Sequence, residues 1–140
     1  MRNEPIQGLI AAPFTPMHAS GEVNPGLIPA YYRMLKSNGA AGAFICGSTG
    51  ESASLTMSEK KALAEAWAAA TEGDADFKVI SFLGGTSLRE CIELAQHAQS
   101  LGLYAVSFTG PYYFKPATVQ LLADCCRTVA EAVPDIWFYY

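Results

Sequence analysis

Five short apolar runs punctuate the chain: Leu9 to Phe14, Ala43 to Cys46, Val79 to Leu83, Tyr104 to Phe108 and Ile136 to Tyr140. Within each run apolar residues follow one another with little polar alternation, which is the pattern of parallel strands covered on both faces. The segments between them carry helical period and helix punctuation. Thr56 and Glu59 make a T-x-x-E capping box, Ser87 and Glu90 an S-x-x-E box, and Gly73 and Gly102 stand where helices stop. In the first helix Asn24-Pro25 suits an N-cap and first turn, but Pro29 would clash with a helix already begun at Pro25, so its start falls nearer Leu27. The last helix gathers Leu121, Leu122, Cys125, Cys126, Val129 and Val133 on one face and ends by Pro134.

The resulting order is β-α-β-α-β-α-β-α-β, with no linker, repeat or low-complexity stretch dividing it. Two α/β architectures fit. One is a doubly wound open sheet, complete at five strands; the other is the first part of a (β/α)8 TIM barrel, which takes about 250 residues in all. A Gly-rich phosphate turn after the first strand would favour the open sheet, but Ala12-Pro13-Phe14-Thr15-Pro16 stands there instead. The pattern leaves both open.

Composition narrows the partners. With 140 residues, 51% of them hydrophobic and 16% charged, the chain has the make-up of one globular domain at most. A net charge of -4 offers no basic face to nucleic acid or an anionic membrane, so a small molecule is the expected partner. Met1 to Pro5 begin no apolar stretch long enough for a signal peptide, and a cytoplasmic location is expected. Cys46, Cys91, Cys125 and Cys126 form no C-x-x-C pair and read as reduced, packing thiols. His18 and His97 have no acidic or cysteine partner at ligand spacing and read as solvated, and no metal site is expected.

Chemistry concentrates after the second strand. Gly47-Ser48-Thr49-Gly50-Glu51 lies at the carboxyl end of the sheet in either architecture, where α/β sites are built. Such a turn can aim backbone N–H groups and two hydroxyls at one carboxylate. A plain βα turn, its Ser and Thr bonding their own backbone, would carry the same residues. Tyr112 and Tyr113, taken alone, read as loop aromatics packing on a helix end.

Three segments, in order and spacing, resemble the N-acetylneuraminate lyase and dihydrodipicolinate synthase family of Schiff-base aldolases. They are Gly8 to Pro16, the GSTGE turn at 47–51 and Gly110-Pro111-Tyr112-Tyr113. The resemblance runs over essentially the whole chain and implies a TIM barrel of which residues 1–140 supply the N-terminal part, about five strands and four helices. It implies a class I aldolase that cleaves N-acetylneuraminate, a sialic acid, to N-acetylmannosamine and pyruvate, without cofactor or metal. Dihydrodipicolinate synthase or 2-keto-3-deoxy sugar-acid aldolase activity is the nearest alternative, and a keto-acid-binding protein without turnover is a further one.

The same resemblance assigns roles. Ser48 and Thr49 bind the keto-acid carboxylate, and Ser48 joins a proton relay. Tyr113 reaches across a subunit interface, so a homodimer or homotetramer is implied. The family's main acid–base tyrosine ends the fifth strand. Tyr140 holds that place if Asn-Ile-Pro or His-Ile-Pro were to follow at once; a gapless match from Pro111 puts it one residue later, and that register is preferred. No lysine of the chain can form the imine: Lys36, Lys60 and Lys61 belong to helices, Lys78 opens the third strand at the wrong end, and Lys115 lies in the loop after Tyr113. Gly110 stands where the family commonly has threonine or alanine, which implies a looser loop.

Overall fold

The computed structural model describes residues 6–140; Met1 to Pro5, on which part of the reading of the chain's start rests, lie outside the described residues. Strands β1 (Leu9–Ala11), β2 (Ala40–Ile45), β3 (Lys78–Phe82), β4 (Ala105–Ser107) and β5 (Trp137–Tyr139) form one parallel sheet in the order 1-2-3-4-5. Helices α1 (Ile28–Ser37), α2 (Met57–Ala70), α3 (Leu88–Ser100) and α4 (Val119–Glu131) follow the first four strands in turn.

The strand order decides between the two architectures. A doubly wound sheet reverses direction at a switch point, so that right-handed crossovers place helices on both faces. Here the order never reverses, and crossovers of one hand place every helix on the same face. Adjacent helices accordingly touch, with Lys61 of α2 paired to Glu93 of α3 at 2.5 Å. The chain is an arc of five strands and four helices with the architecture of the first half of a (β/α)8 barrel.

The core lies between sheet and helices. Ala43 and Ile45 of β2, Val79 of β3 and Val106 of β4 face it, meeting Leu63 and Trp67 of α2 and Leu94 of α3, all buried. Each large apolar side chain so buried contributes about 1.5–3 kcal/mol. Phe138 of β5 packs against this core too, 6.5 Å from Phe108 between ring centroids. Residues on the other alternation, Phe44, Phe82, Trp137 and Tyr139, turn to the face that a closed barrel directs at its axis.

Local signals place most helix ends. Glu59 N–H donates to the Thr56 hydroxyl at 3.3 Å while the Glu59 carboxylate accepts from Thr56 N–H at 2.8 Å, a complete capping box. The Ser87 hydroxyl accepts from Glu90 N–H at 3.3 Å. Pro25–Leu27 form a 3-10 turn and α1 begins at Ile28, with Pro29 in a first turn where no N–H is needed.

Several expectations are corrected. β1 stops at Ala11 rather than Phe14, because Pro13 and Pro16 cannot donate to a neighbouring strand. β2 starts at Ala40, three residues before its apolar run, since small residues there pair by backbone alone. Leu121 does not join the buried face of α4: it is 50% exposed in the helix's first turn. His97 is not solvated, for it sits in the seam between α3 and α2 with Nε2 3.2 Å from the Glu65 carboxylate. Among the described residues no helix is long and apolar enough to cross a membrane.

Candidate active site

At the end of β2 the backbone turns sharply. Cys46 takes a left-handed conformation, φ 54°, with its thiol buried, and Glu51 closes the turn at φ 58°. Between them Glu51 N–H donates to the Ser48 carbonyl at 3.1 Å and Ser52 N–H to the Gly47 carbonyl at 3.2 Å. Two side-chain residues in left-handed conformations cost about 1–3 kcal/mol each, a strain that persists only where surrounding structure enforces it. Part of that enforcement comes from the loop after β1, where the Thr15 hydroxyl donates to the Gly50 carbonyl at 2.6 Å. Tyr31 of α1 in turn steadies this loop by accepting from Phe14 N–H at 3.1 Å. Gly47 and Gly50 are buried, while Ser48 and Thr49 stand exposed at the tip.

Beside the turn is a cleft of about 720 Å³ at the carboxyl ends of β2, β3 and β4, lined among others by Phe44, Ser48, Ser52, Phe82, Thr109 and Tyr112. Its polar side is made of serine and threonine residues, Tyr112 and the acidic Glu51. The Ser52 hydroxyl is buried and has no hydrogen-bond partner among the described residues. Among the described residues no cationic side chain lines the cleft, so an anion there would be held by neutral donors. Burial pushes the Cys46 thiol up to about 11, which keeps it protonated and rules it out as a nucleophile at neutral pH.

A second cavity, about 490 Å³, lies at the opposite end of the sheet around Asp74, Lys78 and Tyr104. There Lys78 bonds the Ala75 carbonyl and lies 5.4 Å from the Tyr104 ring centroid. Burial and the neighbouring Tyr139 hydroxyl push the Tyr104 phenol up to about 12. Parallel α/β sheets build their active sites at the other, carboxyl end.

Of the residues singled out from the sequence, Ser48 lines the cleft and Thr49 adjoins it at the tip of the turn. Tyr113 does not line it; its ring is 76% exposed and packs edge-on against Phe114 at 4.9 Å, while Tyr112 is the tyrosine that faces the cleft. Tyr140 follows β5, 73% exposed and on the alternation of helix-facing Phe138. Lys78 is at the amino end of β3, away from the cleft, and Lys36, Lys60 and Lys61 are in α1 and α2. Gly110 does not loosen its loop: it holds φ 78°, and a Cβ there would lie 2.5 Å from Leu122 of α4, so glycine lets the loop dock on the helix.

Thr15, Ser52, Thr109 and the pair Phe44 and Phe82 are not legible as site residues in the sequence. Thr15 has one available signal, a hydroxyl between two prolines at a strand end; the others have none. Among the described residues no cluster of three His, Cys, Asp or Glu side chains could hold a metal ion.

A family model described as the dihydrodipicolinate synthetase family matches residues 5–138. The chain is 40% identical over 136 residues to human N-acetylneuraminate lyase, covering 96% of this chain and 42% of that protein. Its structure superposes on N-acetylneuraminate lyase (sialic acid aldolase) from Aliivibrio salmonicida with a TM-score of 0.91 at 38% identity, covering 98% of this chain and 45% of that one. It also superposes on dihydrodipicolinate synthase from Acinetobacter baumannii complexed with pyruvate, with a TM-score of 0.87 at 31% identity over 97% of this chain and 46% of that one. The chain thus spans somewhat under half the length of the relatives it matches.

Proposed function

Because this chain belongs to the dihydrodipicolinate synthetase family, we propose that residues 1–140 are the N-terminal part of a single TIM-barrel domain and carry the pyruvate-binding half of a Schiff-base aldolase. The observation that carries this reading is the 47–51 turn at the carboxyl end of β2, with Ser48 and Thr49 at its exposed tip and Ser48 on the cleft. Ser48 and Thr49 grip the carboxylate of a 2-keto acid through hydroxyl and amide donors.

The reaction proposed is cleavage of N-acetylneuraminate. A lysine amine from the second half of the barrel adds to the C2 ketone of the open-chain sugar and expels water, leaving an imine. A tyrosine phenolate takes the C4 hydroxyl proton, the C3–C4 bond breaks, and its electron pair moves through C3 onto the imine nitrogen. N-acetylmannosamine departs with C4 as its aldehyde carbon, and the remaining enamine is protonated and hydrolysed to pyruvate. Neither metal nor cofactor enters these steps.

The alternation of β5 bears on which tyrosine acts. Trp137 and Tyr139 point away from the helices, so the next axis-facing position is the one after Tyr140. This supports the register in which the acid–base tyrosine follows Tyr140, and Tyr140 itself is the weaker candidate. Tyr113, exposed on its loop, is proposed to complete the relay in a neighbouring subunit of a homodimer or homotetramer, and the cytoplasm is the proposed location. Sialic-acid cleavage is favoured over dihydrodipicolinate synthesis by 40% identity to N-acetylneuraminate lyases against 31–33% to dihydrodipicolinate synthases.

The test is Thr49→Val in the full-length enzyme that this proposal implies. Losing one hydrogen bond to a charged group should weaken pyruvate binding by about 1.5–3 kcal/mol in calorimetry. Unchanged affinity would remove the turn from the site.

A further inference from the structure

We propose that Thr109 is a positioning residue for the acid–base tyrosine, its hydroxyl donating to the phenol oxygen and holding the phenolate over the cleft. The inference rests on the reading above, in which that tyrosine follows Tyr140, and adds to it the side chain that aims the phenol.

The register of the sheet carries the argument. Phe82 pairs with Ser107, and Ser107 with Tyr139. The ladder continues one residue further on both sides of β4, since Leu83 N–H donates to the Ser107 carbonyl at 2.9 Å and Phe108 N–H to the Tyr139 carbonyl at 3.0 Å. In a parallel ladder these bonds align Leu83, Phe108 and Tyr140. One step on, Gly84, Thr109 and the residue after Tyr140 share a level, on strands about 4.8 Å apart. Phe108 points into the helix-facing core, so Thr109 turns to the axis, the same face as the position assigned to the tyrosine. Thr109 also lines the cleft.

A phenol at that level must lean across β4 and β3 to approach Ser48 on the turn after β2. The third strand puts no side chain in this path: at Gly84 a Cβ would lie 2.2 Å from Cε1 of Phe82 and 2.9 Å from the Ser52 hydroxyl. The fourth contributes Thr109, exposed on the cleft, whose hydroxyl takes part in no hydrogen bond among the described residues. A donor aimed at a phenolate favours the ionised form and lowers the phenol's pKa. Glu51, as an anion, opposes that ionisation, and no cationic side chain of the described residues lines the cleft to offset it. The Thr109 hydroxyl supplies the offset. The other titratable groups nearby are Tyr112 at the cleft and Tyr139 one level below on the same face of β5. All three remain in a Thr109 variant and weigh equally on variant and parent.

The test is the pH dependence of kcat in the full-length enzyme, because once substrate is bound the lysine is an imine and the acid limb reports the tyrosine as base. Thr109→Val keeps the shape of the side chain and removes the hydroxyl. Losing one hydrogen bond to a charged group should move the acid limb up by about one to two pH units, and lower kcat on that limb by about 10- to 100-fold with KM unchanged. Thr109→Ser should restore the limb. A limb that stays in place, or a fall in activity equal at every pH, overturns the proposal and leaves Thr109 as packing. Should Thr109→Val not fold, Thr109→Ala also lacks the hydroxyl and should show the same shift; no shift there overturns the proposal equally. Replacing the tyrosine after Tyr140 by phenylalanine separates the two levels. If that abolishes turnover while the Thr109 variants move nothing, the positioning role alone is wrong; if turnover survives it, the acid–base reading has failed and the proposal falls with it.

Discussion

The hydrogen bond from Thr15 to the Gly50 carbonyl joins residues 35 apart and ties the 47–51 turn to the loop after β1. Thr15→Val keeps the shape of the side chain and deletes the donor. Gly50 is buried, so its carbonyl would be left without the partner that now sits at 2.6 Å. A buried acceptor stripped of its partner costs about 1–3 kcal/mol. Two outcomes share that cost. The folded state loses stability, and the turn, already holding Cys46 and Glu51 in left-handed conformations, shifts toward arrangements that no longer present Ser48 and Thr49 together. If the whole cost falls on the turn, pyruvate affinity drops by about 5- to 160-fold. The assay is calorimetric titration of pyruvate on the full-length enzyme, with thermal unfolding measured in parallel and Thr15→Ser as the control that restores the hydroxyl. A Thr15→Val protein that binds pyruvate and melts like its parent would refute the claim that this bond holds the turn.

Mixing Tyr113→Phe with a variant lacking the imine-forming lysine should recover activity in heterodimers; no recovery, with subunit exchange confirmed, would place the whole site within one subunit. The 140-residue chain made alone should show no turnover and should associate, because both edges of the sheet, β1 and β5, are open and Trp137 and Tyr139 are 39% and 37% exposed. Sedimentation of a monomer with a sharp thermal transition would contradict this. Thr56→Ala removes the hydroxyl half of the α2 capping box and should cost about 1 kcal/mol by chemical denaturation. Asp74 bonds Lys36 and Tyr32, which hold its carboxyl below the usual carboxylate value. Its stabilising contribution is therefore complete above that usual value and is lost as pH falls through the lowered native one. Asp74→Asn should be less stable at neutral pH and lose less on acidification, as followed by melting temperature against pH.

Signals confined to one turn of chain are legible in the sequence by itself. The capping residues Thr56 and Ser87, the prolines that delay α1 to Ile28, and the glycines after α2 and α3 act on backbone groups three or four residues away. The five apolar runs and the GSTGE turn are equally local, and their order already requires an α/β sheet with that turn at its carboxyl end. The pattern cannot choose between an open sheet and a barrel, because the choice depends on which strand edge each crossover meets. The strand order 1-2-3-4-5 settles it. The contact of His97 with Glu65 and the exposure of Leu121 likewise depend on how elements distant in the chain pack together. The cleft shows the same division. Ser48 stands out through its motif, but Thr15, Phe44, Phe82 and Thr109 come from four separate segments. Parallel register and strand alternation carry them to one end of the sheet, and no spacing along a single segment encodes that convergence.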